Sequence, residues 1–226
     1  MVAFDLPLPT IPRASSGSVT SGDLGTPVKI SIDRKVSTFK HTLRYDWYGF
    51  TGTIASNVGT SYSWTLPMEF ANQMPNTTSS WGRVFIDTYS GSTKIGTTEA
   101  TFTASIPASM KPTLSSITLT DTNTAVKNLL NTDNTFVQVL SNVQVAFNGA
   151  SGVYGSTISS YRAEILGKNQ NTNSNNGLLG TMNFNGAVTI RATVTDSRGR
   201  TSDPVDVQAT VLEYFTPQLS FSGLIS

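Results

Sequence analysis

The side chains that could support acid–base, thiol or metal chemistry are few in this chain. His41 is the only histidine among 226 residues, and there is no cysteine. The missing cysteines exclude disulfides, thiol nucleophiles and zinc–thiolate sites. His41 lies between Phe39 and Leu43 on the inward parity of a predicted strand, where no activated nucleophile can be placed beside it. We therefore expect a hydrogen-bonded, half-buried histidine, with no catalytic residue, no metal ion and no cofactor.

Two pairs of carboxylates are the remaining candidates for catalysis, Asp46 with Asp87 and Glu69 with Glu99. A glycosidase needs two carboxyl groups that face each other across its substrate, and the pattern around these four residues is that of ordinary surface charges. The G-x-S-x-G, H-E-x-x-H and phosphate-binding glycine motifs do not occur in the sequence. These observations predict a protein without enzymatic activity.

One polar motif stands out, Thr-Asp-Ser-Arg-Gly-Arg at 195–200. Asp196 can accept backbone hydrogen bonds across a tight turn, and Gly199 can supply a positive φ. Either Arg198 or Arg200 can pair with Asp196. We interpret the motif as a structural turn between two strands.

A calcium site is the alternative interpretation of this motif. It would combine Asp196 with Asp203 or Asp206, and calcium takes about six or more oxygen ligands. The sequence shows no compact acidic loop of that kind, which favours the structural turn.

Aromatic residues are concentrated in the first half of the chain, where they can either fill a sandwich core or form a binding surface. Trp47 and Trp64 share their parity with neighbouring apolar residues, so we assign both to the core. Tyr48 has the opposite parity, and Trp81 follows two serines at the start of a predicted strand. Exposed aromatic rings can stack on sugars. Tyr48 and Trp81 are therefore the predicted ligand-binding residues, with a glycan as the ligand.

The elements that must position these residues are short strands. At 39–47, 100–106, 143–147 and 188–194, mostly apolar residues occupy every second position. Charged residues make up only 13% of the chain. Serine, threonine and asparagine supply the polarity, which suits strands and turns. Repeated short strands with turn signals between them predict an all-β fold of two tandem immunoglobulin-like β-sandwich domains.

The domain organisation follows from the prolines and the strand runs. We expect an extended N-terminal arm at 1–27, because its prolines exclude a helix. The first sandwich is predicted at 28–111 and the second at 112–216. One short helix is expected inside the first domain at 66–75, where a proline stands near each end.

A third module is predicted to begin at 217–226. The residues around Pro112 and Pro217 are similar, and the two prolines are 105 residues apart, which is about the length of one sandwich domain. Tandem modules joined by proline-containing linkers form a semi-rigid rod.

Charge and hydropathy exclude two classes of partner. The net charge is +1, which provides no electrostatic basis for binding nucleic acid or an anionic membrane. No segment approaches the ~20 apolar residues of a membrane span. The first residues do not have the pattern of a signal peptide, so we expect synthesis and folding in a cytosol.

Several segments resemble the repeated Ig-like module of minor structural proteins in tailed phages, or siphoviruses, that infect Gram-positive bacteria such as streptococci. The sharpest element is the Thr-Asp-Ser-Arg-Gly-Arg motif with its preceding strand. The segments that carry the resemblance are 8–15, 64–67, 88–91, 158–161, 186–200 and 214–217.

The resemblance implies a virion protein at the tail tip that contributes to host attachment, made in the host cytoplasm. Its implied partners are other phage tail proteins and host cell-wall polysaccharide. Tail fibres and spikes are often trimeric, so a homotrimer is a further expectation. Two alternatives stay open: a purely structural Ig-like spacer in the tail tip, and a bacterial surface adhesin.

Overall fold

The computed structural model describes residues 13–217 of the chain. It divides into two compact units, with the boundary between Ser109 and Met110. The boundary predicted between residues 111 and 112 lies two residues farther along the chain. Almost all of the third module predicted at 217–226 lies outside the described residues.

Among the described residues, the first domain is built from strands around one short 3-10 helix, Met68–Gln73, which begins after Pro67 as the prolines predicted. Its strands are β1 (Ser16–Val19), β2 (Gly22–Asp23), β3 (Pro27–Asp33), β4 (Lys40–Trp47), β5 (Phe50–Val58), β6 (Ser61–Thr65), β7 (Ser79–Ser90) and β8 (Thr93–Ser105).

The second domain has one α-helix, α1 (Thr124–Leu130), within the described part of the chain. The side chain of Asn123 caps its N-terminus by accepting a hydrogen bond from the Val126 amide. The strands are β9 (Ser116–Asp121), β10 (Thr135–Val137), β11 (Asn142–Asn148), β12 (Ile158–Ile165), β13 (Asn171–Thr172), β14 (Gly177–Thr181), β15 (Gly186–Asp196) and β16 (Val205–Leu212).

The two domains repeat the same strand order. In the first domain a three-stranded sheet, β1-β3-β6, packs with a five-stranded sheet, β2-β8-β7-β4-β5. In the second domain the corresponding sheets are β9-β11-β14 and β10-β16-β15-β12-β13. In both, the short second strand pairs in parallel with the last strand. This arrangement is an immunoglobulin-like sandwich built twice, as the strand pattern predicted.

Each domain has its own core between its two sheets. In the first, Trp64 on the three-stranded sheet contacts Tyr45 and Phe102 on the five-stranded sheet, with ring centroids 5.6 and 5.3 Å apart. In the second, aliphatic residues from both sheets form one cluster, including Val145 of β11 and Ile190 of β15. The two cores therefore differ in chemistry although their topology is the same.

The extended arm predicted at 1–27 is not what the structure shows for residues 13–27. Strand β1 pairs antiparallel with β3, and β2 pairs in parallel with β8, so these residues belong to the first sandwich. The sequence Ser-Gly-Ser around Gly17 lacks apolar alternation because the chain approaches β3 and β7 too closely for side chains. A Cβ at Gly17 would lie 2.5 Å from both the Ser31 carbonyl oxygen and the Ile86 side chain.

Another close approach shapes the middle of the five-stranded sheet. Gly82 of β7 points into the core, where a Cβ would lie 2.7 to 2.8 Å from the rings of Phe102 and Trp47. These two rings are themselves stacked, with centroids 5.8 Å apart. Because successive side chains of a strand alternate between its faces, the neighbouring Trp81 points to the opposite face.

We expect Gly82→Ala to lower the free energy of unfolding of the first domain by about 2 kcal/mol, because an extra methyl group would overpack the two rings. All three tryptophans lie in the first domain, so urea unfolding followed by tryptophan fluorescence measures this change. Gly59→Ala is the matched control, since its Cβ would meet only the end of Arg34 at 3.8 Å. Equal stability of the two variants would contradict the packing argument.

Candidate functional site

The β4–β5 hairpin carries the first candidate ligand-binding residue at its tip. Trp47 and Phe50 are cross-strand partners, which leaves Tyr48 and Gly49 as the turn. Their φ angles are 51° and 85°, and two positive values in a two-residue loop define a type I′ turn. The Gly49 amide donates to Asp46 Oδ1 at 2.9 Å. The turn holds Tyr48 outward with 56% of its surface exposed.

Tyr48 occupies a backbone conformation that bulky residues rarely adopt. Asparagine or glycine is the usual first residue of such a turn, and an aromatic residue there is a strained exception. Some of this cost is offset by contact of its ring with the edge of Trp47, at 5.5 Å, and by a 2.7 Å hydrogen bond between its hydroxyl and Ser80 Oγ. Strain of this kind clusters at ligand-binding sites, which makes Tyr48 a functional candidate on physical grounds.

Trp81 of β7 is the second candidate, and 63% of its surface is exposed. It lines a cavity of about 260 Å³ together with Tyr48, Ser80 and Arg83. Its cross-strand partner is Thr103 of β8. Trp81 and Thr103 also line a second cavity of about 260 Å³, together with neighbouring hydroxyl-bearing residues. The structure thus brings Tyr48 and Trp81 together in one cavity and leaves Trp81 bordering another.

The two charged residues that line the Tyr48–Trp81 cavity, Arg83 and Asp46, carry opposite charges. Arg83 Nη2 donates to Asp46 Oδ2 at 2.9 Å, and its Nη1 lies 3.8 Å from Glu99 Oε2. The wall of the Tyr48–Trp81 cavity therefore offers hydrogen-bonding groups without an excess of either charge. Sequence reasoning missed Arg83 and Ser80 as lining residues, because only the pairing of β4 with β7 places the hairpin tip beside them.

A cross-strand network continues along the same face of the five-stranded sheet. The ring of Phe85 lies between two guanidinium groups, 5.1 Å from Arg44 and 5.6 Å from Arg83. Arg44 Nε donates to Asp87 Oδ2 at 2.6 Å, and Lys94 Nζ lies 2.8 Å from Asp87 Oδ1. Hydrogen bonding from Arg44, with help from Lys94, holds the pKa of Asp87 well below its usual range although burial opposes this.

Three of the residues considered for catalysis, Asp46, Asp87 and His41, make structural contacts. Arg83 pairs with Asp46, and Arg44 and Lys94 pair with Asp87. His41 is completely buried, more than the half-burial expected, and its Nδ1 lies 3.0 Å from the Val58 carbonyl oxygen.

Residues 13–217 contain no cluster of three or more histidine, cysteine, aspartate or glutamate side chains that could hold a metal ion. Among the same residues, no helix has the length and apolar character needed to cross a membrane.

The predicted turn at 195–200 joins β15 to β16 and is held by Asp196. Its Oδ1 accepts hydrogen bonds from the amides of Arg198 and Arg200, at 3.0 and 2.9 Å. The Gly199 amide donates to the Asp196 carbonyl oxygen at 2.9 Å, and Gly199 has a φ of 78°. The carboxylate and the glycine thus close the turn.

Arg198 has a further contact that the sequence did not indicate. Its guanidinium is buried and donates to the carbonyl oxygens of Val153, at 2.8 Å, and Tyr154. Burial lowers the pKa of Arg198, and the charge of Asp196 partly compensates. Arg198 therefore ties its own turn to the β11–β12 connection within the second domain.

Acidification is expected to weaken the first domain through Asp87. The folded state holds the pKa of Asp87 below its unfolded value of about 3.9. The ion pairs therefore stabilise the fold above that pH, and the contribution is lost as pH falls through the folded pKa. Asp87→Asn should destabilise the domain at pH 7 and flatten the fall in stability below about pH 4.

Tryptophan fluorescence in urea from pH 7 to 3 measures both effects. The control is Asp33→Asn at an exposed ion pair, and a fall as steep in Asp87→Asn as in the unmodified protein would contradict the assignment.

Arg198→Ala should destabilise the second domain by about 3 kcal/mol, because two carbonyl groups lose a buried charged donor. Amide hydrogen exchange within residues 110–217 of the intact chain measures this loss. Arg162→Ala is the control, since it breaks an exposed pair with Glu164 and should cost less than about 0.5 kcal/mol. Equal exchange rates in the two variants would refute a structural role for Arg198.

Several solved structures are similar in fold to this chain. Among solved structures, the chain is similar to the fibronectin(III)-like modules of Clostridium thermocellum CbhA, with 11% identity, a TM-score of 0.33 and coverage of 93% of this chain and 98% of that one. It is also similar to the chicken interferon gamma receptor alpha chain, with 12% identity, a TM-score of 0.31 and coverage of 89% and 100%. These values are too low to relate the functions. No curated protein sequence matches the chain significantly.

The family comparison covers almost the whole sequence. A model described as "Siphovirus protein of unknown function (DUF859)" matches residues 2–224. The resemblance to siphovirus proteins noted from the sequence is thereby confirmed. The chain belongs to this family of siphovirus proteins.

Proposed function

We propose that the protein is a non-enzymatic component of the phage tail tip and that its first domain binds neutral sugar residues of the host cell-wall polysaccharide. The observation that carries this proposal is the pairing of two exposed aromatic residues, Tyr48 and Trp81, on the wall of one cavity. Aromatic walls with a few well-placed polar groups are typical of small-ligand sites. Membership in a siphovirus family favours a virion location over the bacterial-adhesin alternative.

The chemistry of the cavity supports an uncharged ligand. Arg83 and Asp46 neutralise each other, and Ser80 and the hydroxyl of Tyr48 add donors and acceptors. Aromatic faces stack on the apolar faces of sugar rings, while hydroxyl and carboxylate groups pair with sugar hydroxyls. A polyanionic ligand would gain little here, because the one arginine of the wall is already paired.

The strain at Tyr48 supports binding over a purely structural role. A sandwich without a ligand would be more stable with asparagine at this position, since Asn-Gly suits a type I′ turn. Retaining an aromatic side chain there costs on the order of 1 kcal/mol. A gain in binding would account for that cost.

A spacer is the second candidate function, and the repeated strand order is the observation that favours it. The second domain has the same topology as the first but contains no tryptophan. Modules of this kind can hold a distal binding domain away from the tail. Association with other tail proteins and assembly as a trimer stay predictions from the family resemblance.

Binding is tested with purified host-wall polysaccharide and isothermal titration calorimetry. We expect Trp81→Ala and Tyr48→Asn each to weaken binding about tenfold, which corresponds to about 1.4 kcal/mol. Tyr48→Asn should also unfold no more easily than the unmodified protein, because it relieves the strained turn.

Tyr62→Ala is the control, since Tyr62 is an exposed aromatic residue of β6 that lines none of these cavities. Its affinity should equal that of the unmodified protein. An affinity of Trp81→Ala for the polysaccharide equal to that of the unmodified protein would refute the proposed site. A polysaccharide shortened by incubation with the protein would contradict the absence of enzymatic activity.

A further inference from the structure

A separate groove lies on the other side of the β4–β5 hairpin, against the 3-10 helix Met68–Gln73. It has a volume of about 350 Å³, against about 260 Å³ for the Tyr48–Trp81 cavity. The residues that line it come from the two strands, the proline before the helix, and the helix itself: Tyr45, Phe50, Pro67, Glu69, Phe70, Asn72 and Gln73. Neither the sequence pattern nor the family comparison assigns a role to this groove.

The floor of the groove is rigid because the helix is fixed to β4 from below. Phe70 is buried, with its ring stacked on Trp47 at 5.0 Å and tilted against Tyr45 at 5.2 Å. The indole nitrogen of Trp47 donates to the Phe70 carbonyl oxygen at 3.0 Å. On β5, Gly52 leaves room for the Tyr45 ring, since a Cβ there would lie 2.7 Å from it. A groove built in this way exists before any ligand arrives.

One wall of the groove is an aromatic residue that the fold leaves in solvent. Phe50 begins β5, and 59% of its surface is exposed. It stands two residues after Tyr48 in the chain, so the two Cα atoms are at most about 7 Å apart. The hairpin tip therefore presents one aromatic ring to each site, Tyr48 to the Tyr48–Trp81 cavity and Phe50 to the groove.

The polar groups of the groove indicate what it can hold. Glu69 and Asn72 are exposed and Gln73 is half-buried, which gives one carboxylate and two carboxamides. The carboxamides both donate to and accept from hydroxyl groups, and the carboxylate accepts from them. None of the described residues that line the groove is basic, so a phosphate or carboxylate ligand would meet no complementary charge. Aromatic walls with carboxamide and carboxylate groups match an uncharged sugar ring.

We infer that this groove is a second subsite for a neutral sugar residue of the same polysaccharide, with Phe50 as the stacking platform and Gln73 and Asn72 as hydrogen-bonding partners. The inference rests on the proposed function of the Tyr48–Trp81 cavity and deepens it. The first domain then binds an oligosaccharide that crosses the hairpin tip, and not a single terminal sugar. Two subsites on one rigid hairpin raise the affinity for longer chains, because the second contact is intramolecular.

The test uses the intact chain and host-wall polysaccharide hydrolysed to fragments of graded length. For the unmodified protein, affinity should rise at least tenfold from single-repeat to multi-repeat fragments. Phe50→Ala and Gln73→Ala should lose most of that gain while keeping the affinity for single-repeat fragments. Tyr62→Ala should keep the gain. Tryptophan fluorescence in urea checks that each variant is folded.

The possible outcomes distinguish failure of the second subsite from failure of the proposed Tyr48–Trp81 site. If Trp81→Ala loses binding but Phe50→Ala keeps the full gain with length, the second subsite is refuted and the first stands. If the unmodified protein binds no fragment of any length, both are refuted. Glu69→Gln keeps the hydrogen-bonding shape and removes the charge. Retained binding by Glu69→Gln supports a neutral sugar as the ligand. A loss of affinity larger than that of Gln73→Ala would refute the neutral-sugar subsite and favour a cationic ligand.

Discussion

The indole ring of Trp47 is completely buried at the end of β4 and contacts every element that carries the proposed binding surface. It stacks on Phe70 of the 3-10 helix at 5.0 Å and on Phe102 of β8 at 5.8 Å. Its ring edge supports Tyr48, and its nitrogen fixes the helix backbone. Gly82 on β7 is needed to make room for it. The hairpin, the helix and two strands of the sheet are therefore positioned by the burial of a single side chain.

This dependence explains how exposed aromatic residues can be held in defined positions. Tyr48, Phe50 and Trp81 gain little from the core because they lie largely in solvent. Their backbone positions are nevertheless determined, since Tyr48 follows Trp47, Trp81 precedes Gly82, and Phe50 pairs with Trp47 across the hairpin. A rigid scaffold beneath an exposed contact lowers the entropic cost of binding.

The second domain keeps the strand order but stabilises its turns by polar contacts. The Asp196 carboxylate closes the β15–β16 turn, and the Arg198 guanidinium bonds to carbonyl groups of the β11–β12 connection. Its core is largely aliphatic, and among the described residues it has one aromatic pair, Phe147 and Tyr161, with centroids 5.0 Å apart. One topology thus supports two kinds of interior. The aromatic residues suited to ligand contact are concentrated in the domain whose core is also aromatic.

Local patterns in the sequence were sufficient for the fold class, because alternation of apolar and polar residues is itself a record of which strand face is buried. Parity also separated buried Trp47 from exposed Tyr48, and the prolines around 66–75 marked the short helix. Strands β1 and β2 could not be found in this way, since Gly17 packs backbone against backbone and leaves no apolar alternation. The Tyr48–Trp81 cavity, the groove against the 3-10 helix and the contacts of Arg198 with carbonyl groups are each formed by residues about 20 to 45 positions apart in the chain. Only the register of the strands brings such residues together, and register is decided by tertiary packing.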